Sequence, residues 1–174
     1  MRHGPTTDRQ ATLRGPERQQ DVKVVIEIVE EAGETDPADE LRFTVAIQIW
    51  HPSIDPRDLT HALGREPFRC WQAGMQRTSM RGTPLQGHWP ETYWVARRRV
   101  QRQRTFLRAM LQELGELEAQ AALVARLLDE GGRVHLRVSL PGDANIGDSL
   151  SVELMRRLVA LGVELDIEVF PDMD

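Results

Sequence analysis

The chain has 174 residues, a net charge of −5 and one cysteine, Cys70. This length suits a single domain with its own core, and a lone cysteine excludes an internal disulfide framework and favours a reducing compartment. An acidic balance disfavours a dedicated nucleic-acid binder, and no run approaches about 18 apolar residues. We therefore expect a soluble, cytoplasmic protein that does not span a membrane.

The N-terminal part divides into an arm and the start of a domain. Residues 1–20 show no hydrophobic period, so we predict a disordered or loosely held arm, followed by a single domain over residues 21–174. Apolar and polar residues alternate at 22–28 and at 41–49, which predicts two strands. Between them, residues 30–40 carry six acids and no base, and a long acidic hairpin loop is the simplest connection.

A short helix is predicted directly after the second strand. Asp55 suits the N-cap, Pro56 suits the first helical position, and Gly64 suits the left-handed residue that follows the last turn. Ile54 and Leu59 have the spacing of a hydrophobic staple. These signals predict a helix of about eight residues.

The middle of the chain is predicted to be a loop followed by a longer helical region. Glycine and proline interrupt residues 67–90, whereas residues 93–97 resemble a brief strand. A helical apolar period begins near Gln103 and ends at a glycine pair, residues 131–132. Gly115 is predicted to bend or split this helix.

The last part of the chain predicts a strand, a helix and a strand. Alternation marks strands at 134–140 and 163–169, and the helix between them begins at Ser149 or Ser151 and ends at Gly162. The predicted fold is α+β, a two-layer sandwich with a mainly antiparallel sheet and helices on one face.

The charged residues of the two last strands suggest how they pair. If these strands are antiparallel neighbours, Arg133 and Arg137 face the acids of residues 164–168 across the sheet surface. Which face of the sheet is exposed stays open from the sequence.

Several turn and core residues carry a resemblance to a known family. They are Phe43-Thr44-Val45-Ala46-Ile47, Ile54-Asp55-Pro56, Leu63-Gly64, Pro67, Gly74, Trp94, Leu150-Ser151, Leu154, Leu158, Leu161-Gly162 and Leu165-Asp166-Ile167. Over roughly residues 41–171 this pattern resembles the bacterial family known as domain of unknown function 4279. The resemblance implies a fold. It implies no catalytic residues, because the family has no established activity.

A block of arginines is the feature least explained by folding. Its members, apart from Arg108 at the end of the block, are Arg97, Arg98, Arg99, Arg102 and Arg104. Cations near the start of a helix oppose its macrodipole, so an anion is expected nearby. That anion is either internal, from residues 30–40 or 164–168, or belongs to an acidic partner protein, or to a nucleic acid or phosphorylated ligand, which the acidic balance disfavours.

Four of the nine aromatic residues lie in the segment from residue 69 to residue 94, and Trp50 precedes them. Trp71, Arg77, Trp89 and Trp94 belong to the residue types that form binding hot spots or line a pocket for a flat or cationic ligand. The alternative is structural, because a glycine-rich loop needs bulky side chains to hold it in place.

Residue types that carry chemistry are present without a catalytic or metal-binding spacing. The five histidines show no ligand spacing with one another or with Cys70, which we expect to be a small buried hydrophobe. No serine lies in a nucleophile elbow. We expect no metal and no cofactor, and a non-enzymatic protein-binding module for which an immunity or antitoxin-like role would suit. The alternative is a small-ligand sensor or enzyme that uses residues 69–94 as a pocket.

Overall fold

The computed structural model describes residues 41–96, 99–103, 105–142 and 146–170, with the backbone alone for residues 41, 42 and 99–103. The predicted arm, the predicted strand at 22–28 and the acidic segment 30–40 lie outside these residues. In chain order the described elements are β1 Leu41–His51, α1 Pro56–Leu63, β2 Pro67–Trp71, β3 Gln76–Thr78, β4 Pro84–His88, β5 Thr92–Ala96, β6 Arg99–Gln103, α2 Leu107–Ala119, α3 Ala121–Asp129, β7 Arg133–Pro141, α4 Val152–Leu161 and β8 Glu164–Phe170.

Six of these strands form one sheet. Its order is β2-β5-β1-β7-β8, and β6 pairs with the first half of β1 while β5 pairs with the second half. Neighbours are antiparallel except β7 and β8, which are parallel. Strands β3 and β4 form a separate two-stranded hairpin. The mainly antiparallel α+β fold predicted from the sequence is confirmed.

The core lies between one face of the sheet and the helices. Every second residue of β1 and β7 points into it, and these side chains pack with buried residues of all four helices, among them Leu59, Met110, Leu127 and Leu154. Successive strand residues point to opposite faces, so the residues between them form the second face of the sheet. Among the described residues, no helix has both the length and the apolar character that crossing a membrane requires.

The residues predicted to cap α1 and α4 do so in the structure. Asp55 accepts a hydrogen bond from the backbone N–H of Arg57 at 2.8 Å, and Gly64 ends α1 in the left-handed conformation at φ +60°. Ser151, the second of the two predicted starts, accepts from the N–H of Leu154 at 3.1 Å, and Gly162 ends α4 at φ +67°.

The prediction of a loop over residues 67–90 was wrong, because this segment contains β2, β3 and β4. The predicted break at Gly115 was also wrong, since α2 runs through it and ends before Gln120. Glycine costs about 1 kcal/mol in a helix relative to alanine. The burial of Met110, Leu114 and Leu117 in the same helix outweighs that cost.

The antiparallel pairing considered for the last two strands was wrong as well. Helix α4 carries the chain back along the sheet, so β8 runs parallel to β7 as in a crossover connection. Arg137 nevertheless faces acids of β8 as expected, at 3.1 Å from Asp166 and 2.8 Å from Glu168. Arg133 does not, because it pairs with Glu91 at 3.0 Å.

Candidate functional site

A row of aromatic rings crosses the face of the sheet opposite the helices. Trp71 of β2 lies opposite Tyr93 of β5, which in turn lies opposite Trp50 of β1. The ring centroids are 4.3 Å apart for Trp71 and Tyr93, 5.2 Å for Tyr93 and Trp50, and 4.6 Å for Trp50 and His135 of β7. Trp89 extends the row beyond β2 and stacks on Trp71 at 4.1 Å. Each such pair contributes about 0.5–1.5 kcal/mol beyond its buried area.

Arginine side chains lie over three of these rings. The guanidinium carbons of Arg69, Arg77 and Arg133 are 5.0, 5.2 and 5.6 Å from the ring centroids of Trp71, Trp89 and Trp50 respectively. These are distances of cation–π contacts. The faces of the rings are thus largely covered by one another and by arginine. This arrangement favours the interpretation that the rings hold the glycine-rich segment in place.

The hairpin of β3 and β4 is attached to the sheet through this row. The backbone N–H of Trp89 donates to the carbonyl of Met75 at 2.9 Å, and the N–H of Gly74 donates to the carbonyl of Trp89 at 2.8 Å. At the far end, the Ser79 hydroxyl accepts from the N–H of Thr83 at 3.1 Å, and Gly82 takes φ +80°. Every residue of β3 and β4 is exposed, so the hairpin projects from the domain.

Large apolar side chains are exposed around this hairpin. Between 40% and 81% of each is accessible, and they are Phe68, Met75, Met80 and Leu85. Together with Trp71 and Trp89 we call them the hairpin surface. A single exposed apolar residue needs no explanation, but several of them in one short segment are typical of an interaction site.

Two open grooves flank Trp71 and Trp89. One has a volume of about 520 Å³ and lies between the start of α1 and the hairpin, with Met75 and Cys70 among its lining residues. The other has a volume of about 370 Å³ and includes Phe68 and Met80. The indole N–H of Trp71 is shielded from solvent and has no hydrogen-bond acceptor among the residues that the structure describes. An unpaired buried donor costs about 1–3 kcal/mol, so an acceptor supplied here is stabilising.

Cys70 was expected to be buried but is exposed. Partial burial, and then the negative charges of Asp55 and Glu66, raise the pKa of its thiol. A nucleophilic cysteine requires a lowered pKa, so the groove does not activate this thiol.

The structure brings together three of the four residues predicted to line a pocket. Trp71, Arg77 and Trp89 lie side by side, whereas Trp94 is 0% exposed and donates its indole N–H to the Thr60 hydroxyl at 3.1 Å. The inclusion of Trp94 was wrong because it follows Tyr93 in a strand, and neighbouring strand residues point to opposite faces. The hairpin was missed as well, although Gly82 in residues 79–83, between two polar strands, was a turn signal.

Of the predicted arginine block, Arg97, Arg98 and Arg104 lie outside the described residues. Arg99 and Arg102 belong to β6, where their backbones pair with Val45 and Arg42 of β1. They therefore do not lie in the first turn of a helix, as the sequence suggested. An acid lies at the N-terminus of α2 instead, where the Asp148 carboxylate accepts a hydrogen bond from the backbone N–H of Leu107 at 3.0 Å.

A buried ion pair that the sequence analysis missed joins the loop after α1 to α2. Arg65 donates to Glu113, which is almost fully buried, and to Glu116 at 2.9 Å. Burial opposes the charge of Arg65, but these two carboxylates outweigh it and raise its pKa. Glu113 is 48 positions away in the chain, so no local pattern indicated the pair. Among the residues that the structure describes, no group of three His, Cys, Asp or Glu side chains could hold a metal ion.

Comparison with known proteins supports the fold and leaves the activity open. The family model described as Domain of unknown function (DUF4279) matches residues 40–170 and confirms the resemblance inferred from the turn and core residues. No curated protein and no solved structure matches the chain.

Proposed function

Given that the chain belongs to the DUF4279 family, whose description states no activity, we propose that it is a protein-binding module that acts through the hairpin surface. The single observation that carries the proposal is the exposure of Phe68, Met75, Met80 and Leu85 beside two tryptophans. The binding of a protein would remove this apolar area from water, which contributes about 25 cal/mol per Å² before the costs of association.

The composition of the hairpin surface also supports protein binding. Trp, Phe, Met and Arg are enriched at the centres of protein interfaces; the surface contains the first three, and Arg69 and Arg77 lie over its tryptophan rings. The grooves beside Trp71 are large enough to accept side chains of a partner.

The charge around the surface indicates an acidic partner. Arg69 and Arg77 lie over the tryptophan rings, and Arg81 lies in the exposed turn between β3 and β4. Acidic groups on the partner would accelerate association and make the complex sensitive to salt. We place this activity in the bacterial cytoplasm, where an immunity or antitoxin-like protein would act by covering a surface of its target.

The test uses two substitutions that are matched in exposure. Met80 is 81% exposed on the hairpin, and Val159 is 79% exposed on α4. Tagged wild-type protein, Met80→Glu and Val159→Glu are used to capture partners from the native host, and the affinity of the purified partner is then measured at low and high salt. We expect Val159→Glu to bind normally and Met80→Glu to bind at least about tenfold more weakly.

The folded state of both variants is checked by circular dichroism and thermal unfolding. A partner that binds wild type and Met80→Glu equally well would contradict the proposal.

A second candidate function is the binding of a small ligand, either as a sensor or as an enzyme. The groove of about 520 Å³ favours it, because ligand pockets commonly have volumes of about 300–1,000 Å³. A small-molecule screen by thermal unfolding tests this candidate. A ligand in this groove would raise the melting temperature of wild type and of Met80→Glu, because Met80 lines the other groove, but not that of Trp71→Ala.

A further inference from the structure

Strand β8 forms one end of the described sheet. Among the described strands it pairs with β7 alone, and all seven of its residues are in continuous register with residues 135–141. Strand β8 contains no proline, and no bulge interrupts its register with β7. An edge strand of this kind presents backbone N–H and C=O groups that another strand can pair with.

The side of β8 that faces the helices is partly uncovered. Ile167 and Val169 point to this side but are 51% and 63% exposed. Met155 of α4 is also 44% exposed. Apolar side chains of a strand added beside β8 would therefore find apolar surface on this side.

The opposite side of β8 carries a stripe of carboxylates, which we call the acidic stripe: Glu164, Asp166 and Glu168. Arg137 contacts Asp166 and Glu168, and His135 Nδ1 lies 3.1 Å from Asp166 Oδ2. Glu164 is the most exposed of the three and lies 3.7 Å from His135 Nε2, which is too long for a hydrogen bond. Within the described part of the chain, one guanidinium, that of Arg137, faces these three carboxylates, so the stripe keeps a negative charge.

This charge argues against a second copy of the chain as the occupant of the edge. In an antiparallel pair related by a two-fold axis, directly opposite residues share a face of the sheet. Every register that overlaps most of β8 would then place a carboxylate of one copy opposite a carboxylate of the other. Like charges directly opposite each other destabilise strand pairing.

We propose that the outer edge of β8 binds an extended segment of another protein in which cationic and apolar side chains alternate. The segment adds a strand to the sheet, with its cations over the acidic stripe and its apolar side chains against Ile167, Val169 and Met155. Backbone hydrogen bonds supply affinity, and the alternation supplies specificity. This binding site is distinct from the hairpin surface and does not rest on it.

The test uses a labelled, end-blocked peptide of alternating lysine and valine with the same seven-residue length as β8. Fluorescence anisotropy measures its binding to the full chain. We expect Ile167→Lys and Glu164→Lys each to weaken binding at least about tenfold. Ile167→Lys places a cation where the valines of the peptide would pack, and Glu164→Lys places a cation opposite its lysines. Phe68→Lys, a matched substitution on the hairpin surface, should bind the peptide like wild type.

Two methylated peptides separate backbone pairing from simple charge attraction. Alternate amides of a strand point to opposite sides, so methylating one alternate set blocks pairing with β8 and methylating the other set does not. We expect only one of the two peptides to lose binding. Equal binding of both, equal binding by wild type and Ile167→Lys, or no binding to wild type at millimolar concentration would overturn the proposal.

Discussion

The β2 edge and the β8 edge of the sheet both have exposed apolar side chains nearby, but they differ in charge and in backbone. Strand β2 has five residues, begins with Pro67 and has a shifted register between Pro67 and Arg69. Strand β8 has seven residues in regular register. Arginines surround the hairpin surface beside β2, whereas carboxylates line β8.

This difference suits the two proposed binding sites to different kinds of contact. Proline and a register shift are devices that protect an edge strand from pairing, so the β2 edge is suited to contacts through side chains. The regular β8 edge is suited to contacts through its backbone. Of the substitutions below, Trp94→Ala should affect both edges, Trp89→Ala the β2 edge alone, and Asp166→Asn the β8 edge alone.

The largest effect is expected from Trp94→Ala. Trp94 is fully buried in β5 and donates a hydrogen bond to Thr60 of α1, so its removal leaves a cavity in the shared core and loses this hydrogen bond. We expect the free energy of unfolding to fall by about 3–5 kcal/mol, measured by urea denaturation. Binding at both edges should then be lost at the same urea concentration. A loss below about 1 kcal/mol would show that the core does not depend on this ring.

A smaller and local effect is expected from Trp89→Ala. This substitution removes the stack on Trp71 and the contact with Arg77, which together are worth about 1–2 kcal/mol. Native-state hydrogen exchange should become faster at Gly74 and at residue 89, whereas the amides of β8 should exchange at the wild-type rate. Trp89→Phe, which keeps an aromatic ring, serves as the control. Faster exchange across the whole sheet would contradict a local role for the ring row.

The smallest effect is a pH dependence that originates at the β8 edge. Burial raises the pKa of Asp166, but its hydrogen bonds with His135 and Arg137 and their charges outweigh this and lower it below the ordinary value of 3.8. Folded Asp166 therefore stays ionised where the unfolded chain is already protonated. Its contribution is complete above the unfolded pKa and is lost as the pH falls through the folded pKa.

Melting temperatures of wild type and Asp166→Asn between pH 6 and pH 2.5 test this expectation. We expect the difference between the two proteins to shrink below about pH 4. Asp129→Asn, at the exposed end of α3, controls for a general effect of removing one charge. A constant difference over the whole pH range would rule out this role of Asp166.

Much of the candidate site was predictable from the sequence, and the wrong predictions have identifiable physical causes. Trp71, Arg77 and Trp89 were assigned together because they are close in the chain. Trp94 is as close in the chain, but it follows Tyr93 in β5 and therefore points to the opposite face of the sheet. Tertiary contacts decide the rest: His135 reaches the ring row from β7, and Trp50 meets it through the register of β1.

The features of the fold also divide into those that local sequence determines and those that tertiary contacts determine. The sequence determined α1 and α4, because caps, prolines and left-handed glycines act within one turn of the chain and leave local patterns. It also determined the alternation of β1, β7 and β8. The order of the strands, the parallel pairing of β8, the burial of Arg65 against Glu113 and the charge of each sheet edge were decided only by the tertiary structure. They depend on which distant segments share a core, and no local pattern encodes the contact energies that select one such arrangement.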